Sequence, residues 1–427
     1  MAPVPHYRLE CDGCGRWMPD DGLMLACPRC GEGTLLRTRY RGADFPVDRA
    51  GEGIYRYRRW LPVQRDVPGS SRPAVYRSTG MGRALGLTDL WVSFSGFWPE
   101  RGVTMRSGSF KELEAFCVLG RLPVGAGVLV VASAGNTACA FAQVSGAAGV
   151  PCVVVVPDAV VDRVVAAGPV GGQVRVVALE GGSYNDAIEV SRRIVASAPE
   201  FVAEGGVRNV ARRDGLAVVL LAAFEAMGRL PEFYFQAVGS GAGAIAVFEA
   251  VGRLRVGASD WTMPRFRVGQ NQEFAPLYRA WREDQSGEPV ESDGQGERSV
   301  YANELVNRTP PFAVGGGMRT VLRATDGQVL LADGAAARAA RAMFEELEGI
   351  DIEPPAAVAV ACLVAQVRRG EVPPGASVLL NITGGGRARL ARVAPTGAVG
   401  RPEVLSVGLD NAPEVVGAKV LSTLTLG

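Results

Sequence analysis

Lys111 and Lys419 are the only lysines in this 427-residue chain, so 43 of its 45 basic residues are arginine. A coding bias that writes arginine wherever either cation serves leaves lysine where a guanidinium fails. Imine formation is such a task, because a desolvated amine becomes neutral and nucleophilic while a guanidinium stays protonated. Chance survival of the lysine is the plain alternative. Ser109-Phe110-Lys111 runs into Glu112-Leu113-Glu114-Ala115, a good helix start, so the amine sits at a helix entrance where it can point into a cleft. The single histidine, His6, lies near the N-terminus. A Ser-His-Asp relay or a histidine-rich catalytic metal site in the body of the chain is thereby excluded.

Three glycine-rich segments follow apolar runs, where strands should end. Gly239-Ser240-Gly241-Ala242-Gly243 opens a helix, and small residues let successive N–H groups approach an anion at the helix N-terminus. Phosphate is the natural guest; close packing is the other use of such a turn. The spacing is not that of a Walker loop, and no acidic residue stands at the usual distance for a nucleotide ribose. Ser133-Ala134-Gly135-Asn136-Thr137 gathers hydroxyls, an amide and backbone donors. It could grip a carboxylate while Asn136 reaches a ring oxygen, or it could simply cap a helix. Asn381-Ile382-Thr383-Gly384-Gly385-Gly386 ends a buried run, and Thr383 could hydrogen-bond a heteroaromatic nitrogen without protonating it, or belong to a plain loop.

Cys11, Cys14, Cys27 and Cys30 form two C-x-x-C pairs separated by twelve residues, with glycine or proline in or beside each knuckle. Four thiolates on such a hairpin pair suit structural zinc, and a segment this small needs the metal to fold. Two disulfides are the rival, disfavoured in a reducing cytoplasm, and a redox pair would need a βαβ setting that neither knuckle has.

The elements that must position these groups follow from periodicity. Apolar β-rich runs at 127–133, 151–157, 173–179, 233–239 and 377–383, with a weaker one at 266–270, predict strands. Helical patterns fall at 111–120, 137–148, 184–198, 215–229, 242–254, 335–347 and 354–369. Continuous Val/Ile/Leu strands joined by helices predict doubly wound parallel sheets, with ligand sites at the carboxyl ends of the strands. Residues 284–299 are polar and aperiodic and read as a mobile surface loop; the tail from 394 carries no catalytic signature. No internal repeat is evident. A formal charge of +1 gives no field to draw nucleic acid or an anionic membrane. The first ten residues lack a secretory apolar stretch and no run spans a bilayer, so a cytoplasmic location is expected.

Taken together and in this order, the lysine turn, the Ser-Ala-Gly-Asn-Thr loop, the phosphate loop and the terminal Thr-Gly-Gly-Gly resemble the type II pyridoxal-phosphate fold. Threonine synthase, cysteine synthase and tryptophan synthase β share it. The resemblance implies that Lys111 holds the aldehyde of pyridoxal 5′-phosphate, Asn136 contacts its ring hydroxyl, residues Gly239 to Gly243 bind its phosphate and Thr383 faces its pyridine nitrogen. Ser133, Ala134, Gly135 and Thr137 would receive the substrate carboxylate. The N-terminal ribbon points towards the threonine-synthase branch, some members of which carry one.

Within that branch the sequence resembles the cysteate synthase family, which converts O-phosphoserine and sulfite to L-cysteate, more closely than it resembles threonine synthases. The segments 94–102, 109–115, 131–137, 204–215, 236–243 and 381–386 carry the likeness, which runs from about residue 8 to 392. Glu112 stands where threonine synthases usually have aspartate, Ala242 and Ala244 replace bulkier or glycine residues, and the tail has no counterpart. The implied organisation is a zinc ribbon at 1–45, a catalytic region at 46–392 of two interleaved α/β subdomains (the smaller about 95–230), and a C-terminal extension at 393–427. A β-replacement through an aminoacrylate is implied, with Lys111 moving the Cα proton. The leaving phosphate and the incoming sulfite need anion sites, and Arg106, Arg208, Asn209 and Arg212 offer forks and donors for them. Tyr184 and Asn185 fall where relatives shape the substrate end of the cleft. Threonine synthesis from O-phosphohomoserine, a β-replacement with another nucleophile, and a noncatalytic zinc-ribbon protein are the other readings. A homo-oligomer is expected by analogy.

Overall fold

The run Cys152–Pro157, Cys-Val-Val-Val-Val-Pro, is buried at every residue. That is possible only where helices cover both faces of a sheet, and the helices Asn136–Ala148 and Tyr184–Ser197 both pack on this strand. A computed structural model describes residues 6–42, 44–45, 47–133, 135–167, 171–257, 261–288, 300–393 and 399–424. Ala134 and residues 289–299 of the expected surface loop lie outside the described residues.

Two sheets dominate. In the larger, the strands Gln328–Ala332, Arg265–Asn271, Phe233–Ala237, Ser377–Ile382 and Asp89–Phe94 run parallel in that spatial order. Ala74–Arg77 closes its far edge in the antiparallel sense. The smaller sheet is wholly parallel, in the order Phe201–Ala203, Val128–Ala132, Cys152–Pro157, Val174–Leu179 and Glu403–Val407. Its last strand therefore comes from the C-terminal tail, and the helix Pro413–Thr423 that follows packs on Tyr184–Ser197.

The helix Val210–Met227 starts five residues before the sequence pattern predicts, because the Asn209 side chain caps it by accepting from the Ala211 N–H at 3.0 Å. Gly215 lies within it, pressed against the Leu113 carbonyl of the helix Lys111–Arg121, where a Cβ would not fit. The glycine that reads as a helix start is instead a point where two helices pack too closely for a side chain.

The N-terminal segment folds as a three-stranded antiparallel ribbon, Trp17–Met18, Tyr7–Cys11 and Leu36–Tyr40. It is bolted to the helices behind it. Arg121 donates to Asp20 at 2.6 and 2.8 Å and to Asn209 Oδ1 at 3.0 Å. The Thr38 and Tyr40 hydroxyls both donate to Asp214 at 2.6 Å, and Val210 belongs to the ribbon's own apolar cluster. No helix among the described residues is long and apolar enough to cross a membrane.

Candidate active site

Backbone pairing brings two distant loops together. The Phe110 N–H donates to the Thr383 carbonyl at 2.9 Å, and the Gly385 N–H donates to Gly108 at 2.9 Å. Thr383 thus comes to the same cavity as Lys111. Opposite them, the strand Phe233–Ala237 ends in Gly239 to Gly243 and the helix Ala242–Val256 begins. The cavity between is lined by Lys111, Ser133, Gly135, Asn136, Thr137, Tyr184, Arg212, Gly239, Ser240, Gly241, Ala242, Gly243 and Thr383. Thirteen of the predicted site residues therefore share one cleft, at the carboxyl ends of parallel strands as the fold requires.

Other predicted residues lie elsewhere. Arg208 is forked on Glu32 of the ribbon at 2.5 and 2.7 Å, and Asn209 is engaged as a helix cap with Arg121. Arg106 lies near the buried Glu112, and Asn185 sits in the first turn of its helix; neither is among the residues that line the cleft.

The cleft has a charged floor that sequence reasoning does not single out. Lys111 Nζ lies 3.3 Å from Glu114 Oε2, and its side chain is one-fifth exposed (20%), so the amine can face the cavity. Glu114 is fully buried and its other oxygen accepts from Thr137 Oγ1 at 2.9 Å and from Arg212 at 2.9 Å. Arg212 turns its remaining fork on Glu204 at 2.5 and 2.7 Å. Burial pulls the Lys111 amine below its ordinary pKa, the Glu114 carboxylate draws it back up and Arg212 pushes it down. Burial raises the Tyr184 phenol. Glu353 is a second addition: it accepts from Asn136 Nδ2 at 2.6 Å and from Arg387 at 2.7 Å. Residues Glu304 to Asn307 form one wall. Only Glu114 leaves a trace in the sequence, three residues after Lys111 and so on the same helix face.

The glycines of the 239–243 turn are there for space. A Cβ on Gly241 would stand 2.5 Å from the Met318 side chain, its φ is +80°, and a Cβ on Gly243 would stand 2.6 Å from Gln236 Nε2. The N–H groups of a helix's first turn have no partner within the helix, and this turn lines the cleft that Lys111 also lines.

A family model described as "Pyridoxal-phosphate dependent enzyme" matches residues 95–384. The chain belongs to this family of pyridoxal-phosphate-dependent enzymes. A protein named cysteate synthase from Methanospirillum hungatei JF-1 is 41% identical over 419 residues, 97% of each chain. Its namesake from Methanoculleus marisnigri is 44% identical over 391 residues, 90% of each. Among solved structures, threonine synthase from Escherichia coli superposes with a TM-score of 0.57 at 15% identity, over 79% of each chain. Maize serine racemase gives 0.54 at 17%, over 74% of this chain and 88% of that one. The fold is thus of the tryptophan-synthase-β type, and the chain is an enzyme. The residues fit the family's cofactor: an amine for its aldehyde, a turn of small residues at a helix N-terminus for its phosphate, and the Thr383 hydroxyl in the same cleft.

Apart from the cleft, the Sγ atoms of Cys11, Cys14, Cys27 and Cys30 all lie within 4.8 Å of one another, Cys14 and Cys27 at 3.8 Å. Four thiolates at ~2.3 Å around a tetrahedral ion are separated by about that distance. Each knuckle turns on a glycine in the left-handed region, Gly15 (φ +66°) and Gly31 (φ +60°), whose N–H donates to Cys11 and Cys27 respectively at 2.9 Å. These four thiols could hold a metal ion.

Proposed function

We propose that this enzyme catalyses a β-replacement on O-phospho-L-serine, with sulfite as nucleophile, giving L-cysteate and phosphate. The observation that carries the reading is near-full-length likeness to proteins named cysteate synthase, combined with Lys111 at the floor of a cleft bearing an anion cradle. In this reading Lys111 holds the cofactor aldehyde, Asn136 its ring hydroxyl, the turn Gly239 to Gly243 its phosphate and Thr383 its ring nitrogen. When bound, pyridoxal phosphate supplies an electron sink for the pair left at Cα.

The chain's own residues do the rest. The loop Ser133 to Thr137 opens the helix Asn136–Ala148, whose N-terminal N–H groups and positive dipole end suit the substrate carboxylate. Ser133 Oγ is occupied in shaping that loop, accepting from the Gly135 and Ala138 N–H groups at 3.1 and 2.9 Å, which leaves the Thr137 side of the loop to the substrate. Lys111 Nζ, lowered in pKa by burial, takes the Cα proton and later returns it. Tyr184 and Arg212 bound the end of the cleft that meets the anionic group at Cβ. Arg106, Arg208, Asn209 and Asn185 would act there only after moving from their present partners and places. The four cysteines bind structural zinc and take no part in the chemistry.

The test is product analysis with purified protein and cofactor, offering O-phosphoserine plus sulfite and, separately, O-phosphohomoserine. Cysteate in step with phosphate is expected. Threonine from phosphohomoserine would overturn the substrate assignment. Phosphate from phosphoserine without cysteate would overturn the nucleophile alone.

A further inference from the structure

We propose that Glu114 is the positioning residue of Lys111: its carboxylate, fixed by Arg212 and Thr137, receives the Nζ ammonium and keeps the transferred proton at the reacting carbon. The inference rests on the reading that Lys111 shuttles the Cα proton.

Glu114 is three residues after Lys111, on the same face of the helix Lys111–Arg121, with Oε2 at 3.3 Å from Nζ. Oε1 is taken by Thr137 and Arg212, each at 2.9 Å. The carboxylate has no exposure, and Arg212 is itself fixed by Glu204. Glu114 therefore cannot swing away, and the mobile partner is the lysine on its four-carbon stem.

Charge gives the reason for a carboxylate there. The groups facing Nζ are Glu114 on its own helix, Arg212 on the helix Val210–Met227, Glu204 before it, and the Tyr184 phenol and Thr137 hydroxyl across the cleft. Burial and Arg212 both oppose an ammonium at Nζ; Glu114 stands between the two cations and offsets them. A neutral Nζ accepts the Cα proton, the freed pair expels phosphate from Cβ, and sulfite then bonds to Cβ and returns a pair to Cα. The resulting ammonium rests on Oε2, and the same proton goes back when the product forms, so no net proton is consumed. Without Glu114 the amine would surrender that proton before the return step.

The chain's lysine poverty makes a direct test practical. Lysine labelled with 13Cε and 15Nζ yields two side-chain signals, Lys111 and Lys419, assigned with K419R. Full-length protein with its metal and without cofactor or substrate is titrated by NMR. E114Q should lower the midpoint of Lys111 by about one pH unit or more, with Lys419 unmoved and with E204Q giving a smaller fall. An unchanged Lys111 midpoint in folded E114Q overturns the proposal. Should E114Q not fold, E114D withdraws the carboxylate by one methylene: a lowered midpoint supports the proposal and an unchanged one overturns it. No substrate is present, so a wrong nucleophile in the proposed reaction leaves this result standing.

Discussion

Arg208 and Arg212 are four residues apart in the same arginine-rich turn, yet only one of them reaches the cleft. The reason is a helix boundary. Because Asn209 caps a helix at Val210, Arg212 falls in its first turn and faces Glu114 and Glu204, while Arg208 is left outside on Glu32. Residue types alone mark the turn as cationic and leave open which cation points inward. Lys111 was legible because scarcity set it apart; Glu114, beside it, looks like an ordinary acid in a helix first turn. Glu112 is the neighbouring case with a pH signature. Burial raises its carboxyl to about 7, against the lowering effect of the Ser107 N–H, Arg106 and Arg387. A carboxyl raised above its unfolded value of about 4.3 binds more protons folded than unfolded. Its contribution is whole below about pH 4 and is lost as pH rises through about 7, by roughly 4 kcal/mol at most. E112Q should therefore lose less Tm than the parent between pH 5 and pH 8. Equal losses in the two proteins would contradict this assignment.

At the scale of elements, long buried runs declared themselves and short amphipathic ones did not. The strand Asp89–Phe94 begins Asp-Leu-Trp, and Glu403–Val407 exposes most of its residues, so neither shows the continuous apolar run that marks the central strands. The latter is visible only through pairing, since it runs parallel to Val174–Leu179 across more than two hundred residues. The glycine turn at the head of Ala242–Val256 reads in the sequence as an anion site, and its geometry allows a paired test of that reading. G241A forces a Cβ against Met318 at a left-handed backbone position, costing about 1–2 kcal/mol. Cofactor affinity, read by fluorescence titration, should weaken about tenfold. Gly252, in the same helix, has open space where its Cβ would be, so G252A should leave affinity unchanged and add up to ~1 kcal/mol of stability. Equal affinity in G241A and the parent would remove the turn from the cofactor site.

For the whole molecule, the ribbon is joined to the catalytic body through groups with almost no exposure. Asp20 and Arg121 are each 1% exposed, and Arg121 also holds Asn209, the cap of the helix that carries Arg212. With so little apolar core around its four thiols, the ribbon would depend for its folding on the zinc proposed for them. Removing it should strand a buried guanidinium, a loss of about 3–5 kcal/mol, seen as a Tm lowered by several degrees and as new protease cuts within residues 6–40. A chelator that strips metal without moving Tm would show that the ribbon stands without it. The four-cysteine spacing was legible in the sequence. Its attachment was not, because the contacts join residues separated by about one hundred to more than two hundred positions, as with Asp20 and Arg121 or Leu35 and Gly315.

The proposed chemistry depends most on Lys111 being the residue that takes the cofactor. Borohydride reduction of the cofactor-loaded protein, followed by peptide mass mapping, reads this directly, since only two lysines can carry the reduced adduct. The adduct is expected on the peptide containing Lys111 and nowhere else. An adduct on Lys419, or none on either lysine, would contradict the account.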